Sequence, residues 1–227
     1  MQLTFLGHSC FLLESGTHRL LIDPFLTGNP VAPVAAEQVV CDYILISHGH
    51  GDHLGDAVAI ARRCGATVIA NHEIATFCSR QGATSHGMSI GGGHDFPFGR
   101  LKLTIAHHGS GYETADGLLY MGSPAGLLIS TGGKNIYHSG DTGLFLDMEL
   151  IGKMNAIDVA LLPIGDNYTM GITDAVKAVE LLKPKTVIPM HYNTFPVIAA
   201  DPQQFAAKLA GTSTRVVILK PGEQFAF

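Results

Sequence analysis

The 227-residue sequence predicts an α/β sandwich, two β-sheets packed together with helices outside, on three observations. Short apolar runs follow one another closely in the first third, as in a meander of strands. From residue 54 onward, such runs alternate with segments of helical spacing. That alternation recurs loosely in the second half, the pattern of a layered fold. Twenty-seven glycines supply the tight turns that so many short elements need.

In chain order, residues 2–6, 10–14 and 19–23 are apolar runs separated by Gly7-His8 and by Ser15-Gly16-Thr17, which predicts three strands. Residues 43–47 form another apolar, β-branched run that leads directly into His48. Residues 54–64 carry Leu54, Ala57, Val58, Ala61 and Cys64 on one helical face. A strand over 67–70 and a short helix over 73–80 follow. Gly91-Gly92-Gly93 reads as a turn or a flap before a strand over 101–107. Residues 126–130 and 135–138 make a hairpin across Gly132-Gly133, which tolerates positive φ. A buried strand covers 157–162. Thr173 is the expected N-cap of a helix that runs to Leu182 and stops before Pro184. Strands over 186–190 and 216–219, with a helix over 202–209, complete the chain. No linker separates these elements, so one domain over residues 1–227 is expected.

Composition excludes several classes. The chain is 46% hydrophobic and only 15% charged, which rules out intrinsic disorder. No apolar run approaches the roughly 20 residues of a membrane span. The N-terminal stretch lacks a basic region followed by a small-residue cleavage site, so a cytoplasmic protein is expected. Net charge −5 with 14 Lys and Arg argues against nucleic acid as a partner. The four cysteines show no metal-ligand spacing and read as buried thiols.

The chemistry concentrates in Ser47-His48-Gly49-His50-Gly51-Asp52-His53. Three imidazoles and a carboxylate within six residues are ligands preferred by zinc and similar divalent ions. Glycines at 49 and 51 are read as turn residues that let alternate side chains converge. One loop cannot complete two coordination spheres, so further ligands are expected where later apolar runs end: His107-His108-Gly109-Ser110, Ser139-Gly140-Asp141-Thr142 and His191-Tyr192-Asn193.

These motifs resemble the metallo-β-lactamase superfamily. Gly7-His8-Ser9, Asp23-Pro24-Phe25, Leu162-Pro163-Ile164-Gly165-Asp166 and Pro189-Met190-His191-Tyr192-Asn193-Thr194-Phe195 resemble more narrowly its ascorbate-6-phosphate-lactonase-like branch of metal-dependent hydrolases. The resemblance covers nearly the whole chain and implies a four-layer αββα sandwich. It implies one ion held by His48, His50 and His108, a second held by Asp52, His53 and His191, and Asp141 bridging both. His108 is preferred to His107 because the family ligand immediately precedes glycine. Zinc is the first expectation, and manganese, iron and nickel suit the same ligands.

The implied activity is binuclear hydrolysis, by a metal-bridging hydroxide, of a small polar ester, lactone or phosphorylated sugar derivative. Asp52 is expected to act as proton acceptor as well as ligand. His8 is expected to bind substrate or to protonate the leaving group. Asp23, His138 and Asn193 are expected to support the ligands, Asp23 by hydrogen-bonding a ligand imidazole. The loop 166–171 is a candidate polar wall of the pocket. A small-molecule phosphodiesterase is the alternative enzyme, a nuclease less so, and a non-catalytic metal-binding protein is the alternative outside catalysis. Diiron oxygen-reducing members usually carry glutamate where this chain has His50, which disfavours a redox role. Nothing in the sequence reads as an oligomer interface, though a homo-oligomer is compatible with it.

Overall fold

A computed structural model describes all residues, Met1–Phe227. The first half contains β1 (Gln2–Phe5), β2 (Phe11–Ser15), β3 (His18–Ile22), β4 (Tyr43–Leu45), α1 (Gly51–Leu54), α2 (Ala57–Cys64), β5 (Thr67–Asn71), α3 (His72–Arg80) and β6 (Ser85–Met88). The second half begins with β7 (Gly93–Phe96), β8 (Gly99–Ile105), β9 (Gly111–Thr114), β10 (Gly117–Tyr120), β11 (Ala125–Thr131) and β12 (Lys134–His138). It continues with α4 (Asp147–Met154), β13 (Val159–Pro163), α5 (Ile172–Leu182), β14 (Thr186–Met190), α6 (Pro202–Lys208), β15 (Arg215–Val216) and β16 (Gln224–Ala226).

Two seven-stranded sheets result, ordered β16-β1-β2-β3-β4-β5-β6 and β15-β14-β13-β12-β11-β8-β7. The strands read as continuous apolar runs because both faces of each sheet are covered. Leu45 and Ile69 point into the core between the sheets, while Ile44, Ile46 and Val68 point out towards α2 and α3. In the other sheet Leu127, Ile136, Val159 and Ile188 join the central core, and Leu128, Tyr137, Ala160 and Val187 join an outer one with α4–α6. Three apolar layers between four structural layers define the αββα sandwich.

Several predicted elements shift. The helix over 54–64 is two helices, because Gly55 adopts φ +40 and approaches Pro24 so closely that a Cβ would lie 2.3 Å from its carbonyl oxygen. The following Asp56 pins this kink by accepting the Leu26 and Thr27 N–H groups at 3.0 and 2.8 Å. The N-cap of α5 is Gly171 rather than Thr173. The strand over 101–107 runs instead from Gly99 to Ile105, so both following histidines lie beyond it. The strand over 216–219 shrinks to β15. The Gly91–Gly93 segment is a turn leading into β7, closed by the Gly92 N–H on the Ser89 carbonyl at 2.9 Å. At the expected hairpin, Gly132 and Gly133 have φ +54 and +75.

Candidate metal centre

The candidate ligands emerge from strand ends of both sheets. The segment after β4 carries His48 and His50 in a loop and Asp52 and His53 on α1. His108 follows β8, Asp141 follows β12, and His191 follows β14. Gly49 and Gly51 do not serve as positive-φ turn residues. Gly49 is required for space instead, since a Cβ there would lie 2.3 Å from the Met121 Cβ, whereas Gly51 faces open space.

Three imidazoles meet in a first group. His50 Nδ1 lies 3.0 Å from His48 Nε2 and 3.2 Å from His108 Nε2. Bonds of roughly 2.0–2.1 Å at tetrahedral angles place ligand nitrogens about 3.3 Å apart, so the spacing fits an ion such as zinc. His8, His53 and His191 approach Asp52 in a second group. Asp141 Oδ2 lies between the groups, 2.9 Å from His191 Nε2, 3.2 Å from His53 Nε2, 3.6 Å from His108 Nε2 and 3.9 Å from His48 Nε2. His53 Nε2 and Asp141 Oδ1 are buried without a hydrogen-bond partner, which a bound cation would remedy. The residues therefore fit divalent metal.

Hydrogen-bond bookkeeping fixes two tautomers. Asp23 is fully buried. It accepts the Ser47 N–H at 2.8 Å, the Ser47 hydroxyl at 2.6 Å and the His53 Nδ1–H at 2.7 Å. The proton on His53 Nδ1 leaves Nε2 with a lone pair towards the centre. Ser47 has spent its proton on Asp23, so at 2.9 Å it accepts from His48 Nδ1, and His48 Nε2 also faces the centre unprotonated. One carboxylate thus orients an imidazole in each group. Asp23, His48 and His53 also lie within ligand-like reach of one another, but the Asp23 oxygens are already occupied.

His8 departs from its expected role. It is 1% exposed, and both ring nitrogens are engaged, Nδ1 with Thr194 Oγ1 at 2.8 Å and Nε2 with Asp52 Oδ2 at 3.1 Å. Burial lowers its pKa to about 4 against the opposing pull of Asp52, so the ring is neutral at pH 7. It donates Nε2–H to Asp52 and accepts from Thr194, which makes it a positioning residue enclosed behind the ligands. Burial alone would raise the Asp52 carboxyl, but the His8 hydrogen bond and nearby His53 outweigh it and hold Asp52 well below the usual carboxylate range. With no ion bound, burial of His53 is outweighed by Asp141 and Asp23, which raise its pKa, so a cation at Nε2 competes with a second proton there. Asp141, opposed by burial, is held low by His191 and His53.

His138 donates Nε2–H to the Ser9 carbonyl at 3.0 Å and accepts the Gly140 N–H at 3.1 Å, bracing the turn that presents Asp141. Asn193 does not support a ligand. It is exposed, and its Oδ1 accepts the Ala200 N–H at 2.9 Å, which closes its own loop. His107 is exposed and packs on Phe145, with ring centroids 5.1 Å apart. Ser47 and Thr194 are the supporting residues that sequence reasoning missed. Their only signal was adjacency to His48 and a place three residues after His191 in a quoted motif.

The centre opens into a cleft of about 370 Å³ lined by His50, Asp52, His108, Asp141, Tyr168, His191, Phe195 and Val197. The loop 166–171, expected to form a polar wall, contributes the Tyr168 ring. Six of the seven non-glycine residues with positive φ lie in the loops around this centre: His8, Asp23, Asp166, Asn167, His191 and Asn193. Backbone in that sparsely populated region persists only where the surroundings over-determine it.

Residues 2–191 match the model of a beta-lactamase superfamily domain. The chain is 59% identical to a UPF0173 metal-dependent hydrolase of Pelotomaculum thermopropionicum and 53% identical to one of Heliobacterium modesticaldum; both alignments cover 98% of this chain, with 98% and 96% of the relatives. The structure of Igni18, a metallo hydrolase from Ignicoccus hospitalis, superposes with a TM-score of 0.90 at 41% identity, covering 100% of this chain and 98% of that one. With the histidine and aspartate cluster in place, these likenesses identify the chain as a metal-dependent hydrolase that belongs to the beta-lactamase superfamily, among its UPF0173 members.

Proposed function

We propose that the protein is a binuclear hydrolase of small esters or lactones. The observation that carries this reading is the position of Asp141 Oδ2, within 3.9 Å of an imidazole nitrogen of His48, His53, His108 and His191, between the two ligand groups. Divalent ions bound there supply an activated water near neutral pH and polarise the oxygen that gains charge.

The chain's own residues do the remaining work. Asp23 and Ser47 hold His48 and His53 in ligating tautomers. Asp52, kept ionised and oriented by His8, lines the cleft as a ligand and as a hydrogen-bond acceptor for the attacking water. The likeness of the Gly7-His8-Ser9 and Pro189–Phe195 motifs to the ascorbate-6-phosphate-lactonase-like branch supports a lactone ring as the reacting group, and the phosphate of that branch's name is not carried over.

Elemental analysis of protein purified without chelator or affinity metal tests the reading. About two equivalents of metal per chain, lost together with lactone hydrolysis in His48→Ala, is the expected result. No uptake of added zinc or manganese would refute it.

A further inference from the structure

The loops that build the cleft are free of fixed positive charge. All 14 lysines and arginines fall outside residues 2–18, 20–61, 103–133, 135–152, 154–176 and 186–207. Those segments contain every candidate ligand, every supporting residue and the whole cleft lining. Apart from the metal ions the centre would hold for the reacting group, the fixed charges near the cleft are the carboxylates of Asp52 and Asp141, on a chain of net charge −5. A phosphate or carboxylate on the substrate, away from the reacting bond, needs Arg, Lys or a cradle of N–H groups to replace its water. No side chain lining the cleft supplies such a cation.

The cleft mouth presents apolar surface instead. Tyr168 and Val197 are 57% and 52% exposed and, with Phe195, form a contiguous apolar part of the cleft lining. Phe195 stands between them and the interior, its ring 5.9 Å from His8 and 6.3 Å from Phe25. Both supporting loops are braced from behind. The Asn193 N–H donates to the Ile198 carbonyl at 3.0 Å, and Asn193 Oδ1 accepts from Ala200. The Met170 N–H donates to the Thr142 carbonyl at 3.0 Å, and Gly165 bridges Gly171. The apolar rim is therefore preformed, as in a small-molecule site whose walls are hydrophobic and whose few polar groups do chemistry.

We infer that the substrate is uncharged and carries an apolar or aromatic group that seats on Tyr168, Phe195 and Val197, so that phosphorylated sugars and other anionic esters are excluded. The inference rests on the hydrolase reading for its reaction and on the rim for its selectivity. A matched pair of lactones, one bearing phenyl and the other phosphate at the same ring position, separates the two. With zinc-loaded protein, the phenyl lactone is expected to have a kcat/KM at least tenfold higher. Val197→Lys is expected to shift the ratio at least tenfold towards the phosphate lactone, and Tyr168→Ala to lower it by raising KM for the phenyl lactone alone. Calorimetry with the corresponding lactams reads the same preference as binding, without turnover. Preference for the phosphate compound, or a ratio that neither variant moves, overturns the inference and leaves the hydrolase reading standing. Turnover of neither lactone overturns the ester and lactone assignment, and the lactam binding ratio still decides whether the rim selects an uncharged group.

Discussion

Asp23→Asn probes how one buried carboxylate serves both ligand groups. Asparagine tolerates the left-handed backbone at φ +43, so the substitution leaves the chain path undisturbed. Its carbonyl can still accept the Ser47 N–H, but its amide then faces the Ser47 hydroxyl and the His53 Nδ1–H, two donors that now lack an acceptor. Each lost bond to a charged group is worth about 1.5–3 kcal/mol, so a stability loss of roughly 3–5 kcal/mol is expected in metal-free protein. The Ser47 hydroxyl can turn to donate to His48 Nδ1, 2.9 Å away, which moves the His48 proton to Nε2, the atom that faces the centre. His53 loses its orienting partner as well. Loss of such supporting bonds costs about 10–100-fold in metal affinity, here in both groups. Chelator competition with zinc measures the affinity, and urea unfolding of metal-free protein measures the stability. Zinc affinity within twofold of the parent protein would refute the tautomer argument.

Gly49→Ala forces a methyl against Met121 and is expected to cost about 1–3 kcal/mol with reduced metal content, whereas Gly51→Ala, facing open space, is expected to leave both unchanged; urea unfolding and elemental analysis distinguish them. Gly55→Ala meets the Pro24 carbonyl at 2.3 Å with φ +40 and is expected to lower stability by roughly 2–4 kcal/mol, visible as a lower urea midpoint. Metal-free protein is expected to lose stability as pH falls from 6.5 towards 4. His8, with a folded pKa of about 4, is neutral in the fold and charged in the unfolded chain across that window, a loss of roughly 3 kcal/mol, and His48 and His138 act in the same direction through burial. His53 has a raised pKa, so its contribution is fully present below pH 6.5 and is lost only as pH rises through its folded value. A melting temperature that stays flat over pH 6.5 to 4 would contradict this.

The sequence was most legible where one residue type answers one physical demand. Continuous apolar runs such as residues 186–190 reported strands covered on both faces. Paired glycines at 132 and 133 reported a turn that needs positive φ. The spacing of His48, His50, Asp52 and His53 announced side chains that converge in a candidate metal centre. By contrast, β6 (Ser-His-Gly-Met) and β7 (Gly-His-Asp-Phe) are short edge strands with little apolar alternation, and β9 and β10 form a hairpin outside both main sheets. Their pairing comes from neighbours, not from their own pattern. The break at Gly55 depends on Pro24, 31 positions away in the chain, and helical periodicity is blind to it. The enclosure of His8 depends likewise on Thr194 and Asp52, which only the folded chain brings to the ring.

The origin of the ligands in two different sheets bears on how the molecule assembles. His48, His50, Asp52 and His53 belong to the sheet built from β1–β6 and β16, and His108, Asp141 and His191 belong to the sheet built from β7, β8 and β11–β15. Neither half contains a complete set by itself. If these residues hold metal as proposed, high-affinity capture would wait until the two halves have docked in register, and a bound ion would act as a rivet across their seam. On the binuclear reading, loading would be a late checkpoint of folding, and a chain whose halves are misaligned would be marked by its failure to retain metal before any substrate reaches it.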